Sequence, residues 1–256
     1  MSLFTTPVFY YGYTVTVNDI YINFDEGIGE LTALVTAGSY SFTDLAAAVS
    51  TALNQVGSQE YAVTANRADR TFTISASSNF DLLFGTGSNS GLSIASVIGF
   101  AATDLTSANT YTSITSAGIE FVPQFPLQDY VALEDFQEFS SANINESASG
   151  KVEVFSIGLR NFIEFNLGPV TDNAVSGLFT SDNGAVSKLR EFMRFLITKS
   201  DVEFMPDQAD RDTFVTLILE TTPTSSTGTG YKLRELYSRG LVGFFETGKL
   251  KFRERT

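Results

Sequence analysis

The residue types that carry most enzyme chemistry are missing from this chain of 256 residues: it has no histidine, no cysteine and no tryptophan. Histidine is the usual general base near neutral pH and the commonest metal ligand, and cysteine is the strongest native nucleophile and soft-metal ligand. Ser-His-Asp and Cys-His catalysis, histidine-bound zinc and thiol redox chemistry are therefore excluded, and the chain is expected not to be an enzyme. Carboxylates, lysines and tyrosines remain. Glu134, Asp135 and Glu138 could form a hydrolytic carboxylate pair on one helix face, although glycoside hydrolysis needs two carboxyls about 5–9 Å apart, which spacing alone does not establish. Asp207-Gln208-Ala209-Asp210-Arg211-Asp212 is rich in oxygen ligands but lacks the order and distal glutamate of a calcium hand, so it reads as a solvated turn. Gly85-Thr86-Gly87-Ser88-Asn89-Ser90-Gly91 has the look of a phosphate cradle without its lysine, and reads as a flexible loop. No cofactor and no metal is expected.

The elements that would position such groups follow from periodicity. Tyr13–Val17 and Ile20–Phe24 alternate around Asn18-Asp19, which predicts a hairpin, and Leu31–Val35 predicts a third strand. Ser41 caps an expected helix over 42–56 whose apolar residues Leu45, Ala48, Val49, Ala52, Leu53 and Val56 trace one face. Tyr61–Thr64 and Phe72–Ser75 follow as strands about the turn 66–70, and Thr103–Ser116 reads as a long polar loop. Further on, Val152–Ile157 and Phe162–Leu167 predict another hairpin. A second amphipathic helix is expected near 184–199, then strands at 214–220, 233–237, 241–245 and 249–253. The expected class is α+β and strand-dominated: two β-rich domains, each with one principal amphipathic helix.

Charge is uneven along the chain. Formal net charge is −13, and residues 1–125 hold only Arg67 and Arg70 against ten acids; the first lysine is Lys151. This shift, with Pro123 and Pro126 and the polar stretch Ile144–Gly150, predicts domains at 1–125 and 151–256 joined by a connector over 126–150. A surface this acidic repels phosphate backbones, so nucleic acid is not the expected main partner. No run of 18 apolar residues predicts a membrane span, and the N-terminal segment lacks the basic region of a signal peptide. The C-terminal segment reverses the trend. Lys249, Lys251, Arg253 and Arg255 read equally as an inter-subunit contact with an acidic face of a neighbouring copy or as the ordinary exposed charges of a strand; on the first reading, removing 249–256 is expected to impair assembly and leave each subunit folded.

Several short patterns are familiar: Ile20-Tyr21-Ile22-Asn23-Phe24-Asp25-Glu26, Gly38-Ser39-Tyr40-Ser41 opening a helix that ends Ala52-Leu53-Asn54, Phe72-Thr73-Ile74-Ser75 and Val97-Ile98-Gly99-Phe100. Together they resemble a module of virion structural proteins from tailed bacteriophages. Phe204-Met205-Pro206-Asp207, Tyr231-Lys232-Leu233 and the closing Thr247–Arg253 resemble small tail and baseplate components, distal tail proteins first among them. The resemblance implies a structural protein of the virion tail, made in the host cytoplasm. Its partners would be copies of itself in a ring and neighbouring tail or baseplate proteins, and no catalytic residues carry over. A neck, collar or tail-fibre protein is the nearest alternative. A carbohydrate-binding host-adhesion module is another, with Tyr10, Tyr11 and Tyr13 as exposed stacking surfaces.

Overall fold

The computed structural model describes residues 7–122 and 201–220 continuously; elsewhere it describes 139–146, 152–160, 162–166, 170–171, 185–198, 234–235, 244–246 and 249–255. In chain order the elements are β1 (Val8–Tyr11), β2 (Tyr13–Val15), β3 (Tyr21–Asp25), β4 (Glu30–Leu34), β5 (Gly38–Tyr40), α1 (Phe42–Val56), β6 (Tyr61–Asn66), β7 (Thr71–Leu82), β8 (Leu105–Thr112) and β9 (Ile119–Phe121). They continue as β10 (Phe139–Glu146), β11 (Val152–Arg160), β12 (Phe162–Asn166), β13 (Val170–Thr171), α2 (Ala185–Ile197), β14 (Val202–Met205), β15 (Val215–Leu219), β16 (Arg234–Glu235), β17 (Phe244–Glu246) and β18 (Lys249–Glu254). The protein is a strand-dominated α+β fold with several sheets.

It divides into two compact units, and the division is not consecutive in sequence. One unit contains 7–122 together with Asp201–Phe214; the other contains 123–200 and 215–256. The first break falls at Pro123, near the proline pair, but β14 returns from the far end of the chain to join the early strands. Composition could not reveal this, because β14 is four residues long and apolar except for one glutamate. Within the expected connector, 139–146 is a strand paired with β11, so Ile144–Glu146 is ladder and not linker.

The early unit is built on α1. Ser41 accepts the Asp44 N–H through its side chain and so satisfies one orphan donor of the first turn. Phe42, Leu45, Ala46, Val49, Ala52 and Leu53 are buried along one face, while Val56 is exposed at the helix end. Phe42 sits at the centre of the core: its ring lies 4.7 Å from Phe72 edge-on and 5.3 Å from Tyr13 in a stack. Around the helix, β4, β3, β7 and β6 form one sheet and β8 adds to β7. The β6–β7 hairpin runs in register from Tyr61↔Ala76 to Asn66↔Thr71, as its alternation predicts.

Two expected hairpins and one expected loop give way to other pairings. β2 pairs with β5 and β3 with β4 and β7, so Asn18-Asp19 turns the chain between two sheets and closes no hairpin. The turn itself is real: Asp19 N–H donates to the Thr16 carbonyl at 3.0 Å. Thr103–Ser116 is not a loop, since β8 lies within it and pairs with β7 through Thr73↔Thr112 and Ile74↔Tyr111. Its Ser, Thr and Asn residues lie mostly exposed on a strand held by its ladder and by the buried Tyr111, whose hydroxyl donates to the Phe80 carbonyl at 2.6 Å. β11 pairs with β10 and β12 with β18, so the predicted hairpin over 152–167 is absent. In the late unit β18 lies between β12 and β15, with Leu250 and Phe252 fully buried, and α2 buries Phe192, Met193 and Leu196.

Candidate functional site

The early unit concentrates its paired charge on three neighbouring strands of one sheet, in the order β14-β1-β9. Register places Phe9 opposite Phe204 on one side and Phe121 on the other, with ring centroids 5.0 and 6.2 Å apart. The next residue along β1 faces the other way by strand alternation. Tyr10 is therefore flanked in register by Glu203 and Glu120, giving an acid–tyrosine–acid row across the sheet. Three arginines serve this row: Arg67 and Arg70 from the β6–β7 turn, and Arg211 from the returning segment.

Glu203 is fully buried. Its Oε1 accepts the Thr43 N–H at 3.0 Å and the Thr43 hydroxyl at 2.8 Å, and its Oε2 accepts the Arg67 Nε–H at 3.3 Å. It thus caps the first turn of α1 from another part of the chain, where the positive end of the helix dipole favours a carboxylate. The Arg67 guanidinium also lies 3.6 Å from the centroid of the Phe214 ring, a cation–π contact. Glu120 accepts from Arg211 Nη1 at 3.1 Å and stands 3.9 Å from Arg70 Nε. The Tyr10 hydroxyl donates to the Arg67 carbonyl and accepts from Arg211 Nη1. Burial pushes the Tyr10 phenol above its ordinary pKa despite Arg211 beside it, and burial holds Tyr13 far higher still. Burial works against the charged form of Arg211, but the Glu120 carboxylate outweighs it and the guanidinium is held more firmly protonated than usual. At neutral pH both tyrosines are neutral and every arginine here is matched to a glutamate. The arrangement holds a segment distant in sequence in place.

Arg70 adopts a left-handed backbone, φ 56°, at the last position of the β6–β7 turn. A side chain is costly there, and this one is retained with Nη1 donating to the Gly118 carbonyl at 3.1 Å. Gly118 itself has φ 64°, and a Cβ on it would overlap the Tyr13 ring. Neither glutamate of the row stands out by motif. The available signal is a lone acid inside an apolar strand, Val202-Glu203-Phe204 and Ile119-Glu120-Phe121, set against the only two basic residues of the first 125.

The sites expected from sequence fare differently. Tyr10, Tyr11 and Tyr13 are buried, so they offer no stacking surface, contrary to the adhesion alternative. Ring burial is what alternating β1 and β2 strands packed against Phe42 and β9 require. The loop 85–91 is not flexible but pinned: Gly85 and Thr86 N–H donate to Asp104 Oδ1 at 2.7 and 3.0 Å, and Ser88 N–H donates to Glu30 at 2.8 Å. Its cradle of amides does bind anions, and they are the chain's own carboxylates. A Cβ at Gly87 would overlap Asn23. In the turn 207–212, Asp207 accepts the Ala209 N–H at 2.9 Å and Asp210 accepts the Thr213 hydroxyl at 2.8 Å, so the local donors use those oxygens. Among the described residues no group of three or more acids is arranged to hold a metal ion. Glu134, Asp135 and Glu138 lie outside the described residues.

Of the C-terminal basic residues, Arg253 pairs with Glu220 at 3.3 Å, Lys251 is half-buried opposite Glu164, and Arg255 is exposed. Lys249 stands opposite Asn166 in the ladder. They belong to an interior strand and not to a detachable tail, which corrects the expectation that 249–256 could be removed without harm. Among the described residues no helix is long and apolar enough to cross a membrane. Comparison with known protein families finds no match, and no curated protein matches the chain.

Proposed function

We propose that this protein is a structural component of a bacteriophage tail, at the distal tail or in the baseplate, and that it works by assembly with copies of itself and neighbouring tail proteins. The observation that carries this reading is the Glu203–Tyr10–Glu120 row, in which charge is matched within the chain and locks a returning strand. Such use of charge suits a part that must keep its shape under load. The same economy recurs at the surface, where Glu26, Glu30 and Asp104 fasten loops through backbone amides. The viral setting rests on the sequence resemblance. A neck, collar or tail-fibre position belongs to the same reading. The adhesion alternative loses its named tyrosines to the core. Mass spectrometry of purified virions, with labelled antibody in electron microscopy, tests the proposal: the protein is expected at the tail tip, and its absence from virions would overturn it.

A further inference from the structure

Charge is partitioned between the two units more sharply than between the two halves of the sequence. The early unit, 7–122 with 201–214, contains fifteen acids and three arginines, so it carries −12 of the chain's −13. All three arginines are used internally, Arg67 on Glu203 and both Arg70 and Arg211 on Glu120. No other basic side chain belongs to that unit, so its surplus of acids is not offset by basic residues of its own. The late unit holds the other thirteen basic residues and fourteen acids, close to neutral.

The basic residues of β18 are ordered by its pleat. Leu250 and Phe252 are buried, and Lys251, Arg253 and Arg255 alternate with them along the chain, with Arg253 paired to Glu220 and Lys251 opposite Glu164, so basic residues outnumber the acids beside them. Both edges of β18 are closed by β12 and β15, so a partner meets the face that carries these basic residues and does not add a strand. Two early units facing each other would bring about −12 against −12, which disfavours a two-fold contact through them. A contact between unlike surfaces is electrostatically favourable, and repetition of an unlike contact closes into a ring or runs on as a filament.

We propose that the basic face of β18 docks on the acidic early unit of a second copy of this chain, head to tail. This rests on the assembly reading above but not on its viral setting. The test is sizing of the full chain by light scattering over a concentration series in 0.1 M and 1 M salt, where the Debye length falls from about 10 to about 3 Å. The intact chain is expected to associate at low salt and dissociate at high salt. Arg255→Glu, at an exposed position, is expected to weaken association several-fold, and Lys251→Gln with Arg255→Glu about tenfold with a flatter salt response. Arg194→Glu, which makes the same charge change at an exposed position of α2, is expected to leave association as it was. Thermal melts monitor folding, and Arg255→Glu alone decides the matter if the double variant unfolds. An oligomer insensitive to salt, one strengthened by salt, or an equal response to Arg194→Glu overturns the docking face and leaves self-assembly standing. A monomer under every condition overturns both.

Discussion

Removing the Glu203 carboxylate should uncouple the returning strand from the helix it caps. The side chain is fully buried, accepts from Thr43 N–H and hydroxyl, and pairs with Arg67, whose side chain is only 12% exposed. In Glu203→Ala the Arg67 charge stays largely buried without its partner and α1 loses a cap. Breaking a buried pair in this way costs about 3–5 kcal/mol. Glu203→Gln keeps an acceptor for Thr43 but not the charge, so the expected cost is smaller, about 1.5–3 kcal/mol, the range for a hydrogen bond to a charged group. Replacing both partners, as in Arg67→Met with Glu203→Met, leaves no orphan charge and should recover much of the loss, since buried pairs often equal their apolar substitutes. Native-state hydrogen exchange reports each unit separately, which a single melting curve for two units does not. Amides of β1 and α1 should lose protection in Glu203→Ala by the stated amount, while those of β12 and β18 keep theirs. A loss below about 1 kcal/mol, or a double variant as damaged as the sum of the two singles, would refute the assigned role of the pair.

Gly118→Ala should destabilise the early unit by about 2 kcal/mol or more, read by urea denaturation, because its left-handed backbone is joined by an overlap of the new methyl with Tyr13. Wild-type stability would show the close approach to be soft. Acid should open the carboxylate-fastened loops. At Glu26 burial raises the pKa, but hydrogen bonds from Ser58, Tyr61 and Gln59 outweigh it; Ser88 lowers Glu30 and Thr86 lowers Asp104, so all three lie below the ordinary carboxylate range. A depressed folded pKa gives stability that is full above the unfolded value, about 4, and is lost as pH falls through the folded one. Amide chemical shifts of Ser58, Thr86 and Ser88 should therefore stay constant down to about pH 4 and move below it; movement centred near pH 5 or above contradicts the shifts. Deleting 249–256 should unfold the late unit, because it removes an interior strand with two fully buried side chains; a truncated chain with native circular dichroism and an unchanged melt would contradict that.

Local signals carried well where one element met its own neighbours. Ser41 and the spacing Leu45, Val49, Leu53 bound α1 within a residue, and the alternation on either side of 66–70 produced the β6–β7 hairpin with its register. They failed where partners lie far apart. Tyr13–Val15 alternates as half of a hairpin with Tyr21–Asp25 would, yet it pairs with Gly38–Tyr40, while Tyr21–Asp25 pairs with the next strand and with the distant β7, because sequence proximity favours a pairing only through a loop-closure term that packing overrides. The same limit hid the acid row. Glu120 and Glu203 are 83 positions apart and meet only because both flank Tyr10. The legible clues were a lone acid in each of two apolar strands and the scarcity of basic residues, and both early arginines are in the site.

The discontinuity of the early unit also sets an order of events during synthesis. Val122 is followed by 78 residues before Asp201, and Phe214 ends the segment the unit needs. At translation rates of about 5–20 residues per second, the stretch from 122 to 214 takes on the order of 5–18 s. Throughout that interval β1 lacks β14, Phe9 lacks Phe204, and the first turn of α1 lacks Glu203. The nascent chain therefore passes through a timed, half-built stage with an open strand edge, and slow codons or chaperone occupancy between 123 and 200 would lengthen it. Completion of the early unit is in effect a signal that the chain through Phe214 has left the ribosome.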